Sequence, residues 1–198
     1  MPVSFNDSET KINLMRAFAG ESQARNRYTF AASIAQQQKN DALYWLFHLT
    51  AQQEKEHAEV FYNHLKEFNG TNINIDAAYP VNVSENLYEL LRAAEHNEYE
   101  EHDDIYMAFH AKAKEEGFPQ IAASFFSIAQ IEKTHGDRFA KFANWMEQGK
   151  LYKSDEPTAW VCLKCGHIFQ GDTVPEQCPV CHHDKQGFVR LPLAPFTE

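Results

Sequence analysis

The sequence is poor in basic residues, in cysteine and, over most of its length, in proline. Lysine and arginine number 18 against 28 aspartates and glutamates, a formal net charge of −10. A partner bound through a nucleic-acid backbone needs a basic surface, so that class is excluded. No run approaches the ~20 apolar residues of a membrane helix. The first residues, Met1 to Asp7, carry no basic stretch leading into an apolar one, so no secretory leader is expected. The expected location is the cytoplasm. Only four cysteines occur in 198 residues, and all lie between Cys162 and Cys181. In a reducing compartment, thiols clustered in this way hold metal more often than they form disulfides.

Proline is missing from residues 3–79, 81–118 and 120–156, whereas five of the eight prolines stand at or after Pro157. Proline breaks helix interiors, so 1–150 reads as a domain of long helices. Residues 151–198 read as a small β-rich module of turns and short strands around the cysteines. Helix A is expected from an Asp7 or Ser8 cap to about Gln38. Helix B follows from Asn40-Asp41 to about Phe68, with Gly70 as a left-handed stop. Helix C is expected from a Ser84 cap to Gly117, and helix D from Pro119, which sits well in a first turn, to near Gly149. The connection 71–83 is too long for a tight turn and is expected to cross the bundle. The fold class is therefore mainly α, a ferritin-like four-helix bundle followed by a small four-cysteine metal domain.

Core-facing positions recur in alternating steps of three and four. The stripes are Leu14, Phe18, Glu21, Arg25 and Tyr28 in helix A, and Phe47, Ala51, Glu54, Ala58, Phe61 and Leu65 in B. Helix C gives Tyr88, Leu91, Glu95, Glu98, His102, Ile105 and Phe109; helix D gives Phe125, Ile128, Glu132, then His135 and Phe139. Each stripe should face the core, and each contains a glutamate. A buried carboxylate is costly unless paired or bound to metal. Glu54-Lys55-Glu56-His57 and Glu132-Lys133-Thr134-His135 are both Glu-x-x-His, a step that puts carboxylate and imidazole on one side of a helix. With Glu21 and Glu95 from the other two helices, they make the donor set of a di-metal carboxylate bundle. Glu21 precedes Glu54 by 33 residues and Glu95 precedes Glu132 by 37, so the bundle reads as two related helix pairs. Glu98 shares the stripe of Glu95 and is expected as a fifth carboxylate ligand. Glu100, Glu101, Asp103 and Asp104 read as solvated charges.

Cys162-Leu163-Lys164-Cys165 and Cys178-Pro179-Val180-Cys181 are two C-x2-C knuckles separated by twelve residues. Four thiolates form a tetrahedral site for zinc or iron, and spacing leaves the choice open. Gly166 frees the backbone to turn after the first knuckle.

Together these motifs resemble the rubrerythrin family over nearly the whole chain. The resemblance is carried by Gly20-Glu21-Ser22-Gln23-Ala24-Arg25-Asn26-Arg27-Tyr28, Glu54 to Ala58, Ala94-Glu95-His96-Asn97-Glu98-Tyr99, Ser127-Ile128-Ala129, Glu132 to His135, and the two knuckles. Bacterioferritin is similar at six of the bundle positions but lacks the extra acid. The resemblance implies a non-haem di-iron peroxidase that reduces hydrogen peroxide to water, and a rubredoxin-like iron in the four-cysteine site. It implies Glu54 and Glu132 as bridging ligands, with Glu21, Glu95 and His135 terminal. His57 and Glu98 would exchange on one iron, and Tyr28 would hydrogen-bond near the site. An electron-donor protein linked to reduced pyridine nucleotide, a homodimer and a role against oxidative stress are implied as well. The same ligands would also serve a ferroxidase or oxygen reductase, and a metal-storing bundle with a zinc-ribbon docking module is a further alternative. The family's tyrosine beyond the second helix-C glutamate is expected to be missing, since His102-Asp103 stand there. His102 reads as a core or partly exposed histidine, His182 and His183 as surface residues, and Trp45, Phe125 and Phe126 as core.

Overall fold

The computed structural model describes residues 3–194. Helix α1 spans Glu9–Gln37, and the Ser8 side chain caps it by accepting from the Lys11 N–H at 3.1 Å. Helix α2 spans Asp41–His64, capped by Asn40 Oδ1 accepting from Leu43 N–H at 3.1 Å. It ends four residues sooner than expected, in a 3-10 turn over Lys66–Phe68, and Gly70 then takes a positive φ of 81°. The crossover 71–83 has no regular structure. Asn86, rather than Ser84, caps the next helix, α3, Leu87–Glu100.

The largest departure from expectation is that helix C is not one regular helix. A π-helical turn over Glu101–Ile105 separates α3 from α4, Tyr106–Glu116. Such a turn inserts one residue and rotates everything beyond it, and it is common at functional sites. Gly117 ends α4 at φ 89°, and Pro119 opens α5, Pro119–Glu147. Helix α1 packs along α2, while α3 and α4 together pack along α5. Among the described residues, no helix is long and apolar enough to cross a membrane.

The apolar core is in two parts. One contains Ala24, Phe47, Ala51, Leu91, Ala94 and Phe139; the other contains Leu14, Ala17, Phe61, Tyr106, Phe125 and Ala129. On every helix the change from one part to the other brackets acids. Glu21 lies between Ala17 and Ala24, Glu54 and His57 between Ala51 and Phe61, Glu98 and Glu101 between Ala94 and Tyr106, and Glu132 and His135 between Ala129 and Phe139. A buried polar layer therefore crosses the bundle. Phe125 is buried as expected, but Trp45 and Phe126 face outward.

Strands β1 (Lys153–Cys162), β2 (Ile168–Thr173) and β3 (Phe188–Arg190) form an antiparallel sheet in the order β2-β1-β3. Trp160 is fully buried beneath the cysteines, and its Nε1–H donates to Gly171 O at 3.0 Å. The module rests on the start of α2, where Lys164 Nζ lies 2.9 Å from Asp41 Oδ1.

Candidate functional site

Two overlapping groups of ligand atoms occupy the polar layer. Glu21, Glu54, His57 and Glu132 form one, and Glu54, Glu98, Glu132 and His135 the other, with the atoms of each within 4.8 Å of one another. Glu54 and Glu132 belong to both. His57 Nδ1 lies 3.1 Å from Glu54 Oε2 and 2.9 Å from Glu132 Oε1. His135 Nδ1 lies 3.0 Å from Glu54 Oε1, 2.9 Å from Glu132 Oε2 and 3.2 Å from Glu98 Oε2. Each half also has a phenol: Tyr28 Oη donates to Glu98 Oε1, and Tyr106 Oη donates to Glu21 Oε1 at 2.5 Å.

Glu95 does not reach this layer. Its partly exposed carboxylate accepts from Arg92 Nη1 at 2.8 Å at the bundle edge. The buried face of α3 runs Leu91, Ala94, Glu98, Glu101 rather than Leu91, Glu95, Glu98, His102. The expected register is therefore off by one residue on either side of Glu98. Glu98 occupies the position opposite Glu21, and Glu101, expected to be solvated, is the additional buried acid. Glu98 precedes Glu132 by 34 residues, close to the 33 from Glu21 to Glu54, so the two helix pairs match better than the sequence spacing from Glu95 suggested. A tyrosine does stand beyond the buried acids: Tyr106, whose hydroxyl donates to Glu21. The π turn sets it five residues beyond Glu101, where a search in regular helical steps passes it by. His102 is partly exposed and contacts Asp103 Oδ1 at 2.6 Å, outside the layer.

The electrostatics of the layer follow from acids crowded out of water. Burial pushes the Glu21 carboxyl well up, and the charges of Glu132 and Glu54 push it further. Burial, then the charge of Glu54, brings Glu98 up to about 8. Glu101 is raised well above the usual range by burial and by Glu98, Glu132 and Glu54, with Arg27 opposing. Burial alone would raise Glu54, but the His135 and His57 rings beside it hold it to about 2. Burial disfavours a charged imidazole, yet the flanking carboxylates push His57 up to about 10 and His135 up to about 12. The layer thus favours positive charge at both Nδ1 atoms. Glu21 Oε2 is buried without a hydrogen-bond partner, and Glu54 Oε1 and both Glu132 oxygens face only the His57 and His135 nitrogens, without well-aligned hydrogen bonds. Buried carboxylate oxygens gathered in this way beside two imidazoles fit a pair of metal cations.

The four cysteines also converge. Cys162 Sγ lies 3.7 Å from Cys181 Sγ, and Cys165 Sγ 3.7 Å from Cys178 Sγ. A tetrahedron with metal–sulfur bonds of about 2.3 Å has edges of about 3.8 Å, so the set fits one tetrahedral ion. Burial pushes the Cys162 thiol up to about 12, against N–H bonds from Lys164 and Cys165. Burial also opposes ionisation of Cys178, but N–H bonds from Cys181 and Val180 hold it to about 7. Gly166 takes φ 77° after the first knuckle; after the second, exposed His182 takes φ 58°, a left-handed turn made without glycine.

Residues 13–143 match the family model described as Rubrerythrin, and residues 160–189 match the rubrerythrin rubredoxin-like domain. A rubrerythrin of Clostridium perfringens is 41% identical over 93% of this chain and 95% of its own length. One of Porphyromonas gingivalis is 40% identical over 95% of this chain and 92% of its own. Among solved structures, fully reduced, all-ferrous nigerythrin matches with a TM-score of 0.62 at 29% identity, covering 94% of this chain and 91% of that one. A bacterioferritin of Mycobacterium tuberculosis, 17% identical with a TM-score of 0.63 over 75% of this chain and 90% of its own, shares the fold. The donor sets and these relatives fit a di-iron pair in the bundle and one iron on the four cysteines. The chain belongs to the rubrerythrin family.

Proposed function

We propose that the protein is a non-haem di-iron peroxidase that reduces hydrogen peroxide to water as a defence against oxidative stress. The observation that carries this reading is the presence, in one chain, of a doubled carboxylate–imidazole layer and a four-thiolate site. Glu21, Glu54, His57 and Glu132 would hold one iron; Glu54, Glu98, Glu132 and His135 would hold the other. When bound in the ferrous state, the pair supplies together the two electrons that cleave an O–O bond without releasing a radical. Tyr28 and Tyr106 keep their protons, because burial raises both phenols well above their usual range. Each therefore remains a donor that fixes a ligand carboxylate, Glu98 or Glu21. With the metal pair bound, Glu101 would take the exchanging role that the resemblance gave Glu98. It is buried and lies outside both donor groups; its charge bears on Glu21, which shares a donor group with His57, while the charge of Glu98 bears most on Glu101 itself. An exchange between His57 and Glu101 would have a chemical logic: neutral imidazole suits a ferrous ion, and an anionic oxygen suits the harder ferric one.

Cys162, Cys165, Cys178 and Cys181 would pass electrons inward one at a time, drawn from reduced pyridine nucleotide through a donor protein. Asp41, which pairs with Lys164 beside the cysteines, precedes Glu54 by thirteen residues of α2, roughly 20 Å of helix. That separation within one chain supports a homodimer in which one subunit's cysteine site serves its partner's bundle. A reducing cytoplasm suits the four free thiols. The test is metal analysis of protein isolated without added metal, together with anaerobic peroxide consumption driven by NADH and a rubredoxin reductase. Three irons per chain and peroxide-dependent NADH oxidation are expected. Zinc on the cysteines, or no consumption, would refute the reading.

A further inference from the structure

We propose that the cavity beside Glu101 and Tyr106 admits organic hydroperoxides, so that the substrate range extends beyond hydrogen peroxide. This inference rests on the peroxidase reading. The cavity measures about 390 Å³ and lies between α1, the π turn, α4 and the crossover strap. Its inner end is formed by Glu101 and Tyr106, both buried, and the Tyr106 hydroxyl reaches Glu21 of the polar layer. Most of the remaining wall is apolar, including Ala17, Pro80, Ile105 and Phe109, with Gln23 and Glu100 adding polar atoms beside the Arg16–Asp76 pair. A water molecule claims about 30 Å³ in the liquid, so this space would take roughly a dozen. Hydrogen peroxide, with two heavy atoms, has no use for that volume. A molecule with a hydroperoxide head and an alkyl or aryl body does: the head meets the acid and the phenol, and the body leaves water for the apolar wall.

The strap is held in place rather than free to collapse inward. Arg16 donates to Asp76 O at 3.1 Å and to Asp76 Oδ1 at 2.8 Å. Tyr79 Oη donates to Arg16 O at 2.8 Å, and Asn97 Nδ2 donates to Asn82 Oδ1 at 2.8 Å. The reaction balances as for hydrogen peroxide. The O–O bond of ROOH breaks, two electrons come from the ferrous pair at one per iron, and two protons are taken up. The products are ROH and water.

The experiment uses the full-length, iron-loaded protein. The reduced form is mixed anaerobically with hydrogen peroxide or cumene hydroperoxide, and the oxidised form is titrated with cumyl alcohol by calorimetry. Ala78→Phe narrows the cavity from its exposed rim, and Ala17→Leu narrows it from the α1 side. The wild type should turn over both peroxides and bind cumyl alcohol. Each variant should lose about tenfold in kcat/KM for cumene hydroperoxide and in cumyl alcohol affinity, while hydrogen peroxide turnover stays within about twofold. Turnover of hydrogen peroxide alone by the wild type would overturn the inference, as would equal losses for both peroxides or alcohol binding indifferent to both substitutions. If neither peroxide reacts, the peroxidase reading falls and takes this inference with it. Failure confined to the organic peroxide sinks the inference alone.

Discussion

Moving the ligand roles along helix C, from Glu95 and Glu98 to Glu98 and Glu101, is the sharpest claim about the site, and Glu95→Ala and Glu101→Gln test it as a pair. Glu95 sits at the bundle edge with its side chain 22% exposed, held to Arg92 at 2.8 Å. An ion pair this close to water contributes about 0.2–1 kcal/mol. For a chain of this length that corresponds to a fall in Tm of roughly 0.4–4 °C. Two bundle irons should remain, and kcat/KM for peroxide should stay within about twofold, the equivalent of the ~0.5 kcal/mol typical of surface changes. Glu101 is buried among Glu98, Glu132 and Glu54. Glu101→Gln keeps the shape and replaces an acid that burial and its acidic neighbours already push toward the neutral form, so Tm should not fall. Iron should still bind, because the two donor groups do not include Glu101, but peroxide turnover should fall about 10–100-fold, the usual effect of losing a group that tunes a metal site. Iron content, thermal denaturation and stopped-flow oxidation of the reduced protein read these outcomes. If Glu95→Ala loses iron or turnover while Glu101→Gln behaves as wild type, the register assigned to α3 is wrong.

Tyr106→Phe leaves the ring among Phe61, Phe109 and Phe125 but removes the donor to Glu21. Iron affinity should fall about tenfold or more while the fold holds; unchanged affinity in a metal titration would count against that role. Cys165→Ser should abolish the visible spectrum of a four-thiolate iron and NADH-driven turnover, yet leave direct peroxide oxidation of the chemically reduced bundle intact. Loss of both would tie the bundle chemistry to the cysteine module. Glu116 fastens the end of α4 to the start of α1, accepting from Glu9 N at 3.0 Å, Thr10 N at 2.8 Å and Thr10 Oγ1 at 2.6 Å. Burial would raise its carboxyl, but the Thr10 bonds outweigh it and hold the pKa below 4.5. Its contribution is therefore complete above that value and fades as pH falls through the depressed folded-state pKa. Glu116→Gln should lower stability by about 1–3 kcal/mol at neutral pH, and the gap to wild type should close in acid. A gap independent of pH would contradict the assignment.

Much of this site is legible in the sequence alone. Glu54, His57, Glu132 and His135 are fixed by the Glu-x-x-His step on regular helices, and Glu21 by a stripe with clear apolar neighbours. The cysteines identify themselves by spacing. Helix C resists for two physical reasons. Its core face is marked at residue 94 only by alanine, a faint signal beside the acids at 95, 98, 100 and 101. Beyond it the π turn breaks the helical period, so Ile105 and Phe109, read in regular steps, point back to the wrong glutamate and hide Tyr106. The second knuckle hides its left-handed turn in the same way, because His182 rather than glycine carries it. What did mark the correct register was symmetry: a spacing of 34 from Glu98 to Glu132 matches 33 from Glu21 to Glu54.

Everything proposed for the bundle turns on whether its metal pair works on peroxide. Anaerobically reduced, iron-loaded protein mixed in a stopped-flow instrument with equal concentrations of hydrogen peroxide or dioxygen decides this. Peroxide should oxidise the pair much the faster of the two, with one peroxide consumed per pair. Oxidation by dioxygen as fast as by peroxide would contradict the peroxidase reading and favour an oxygen reductase or ferroxidase.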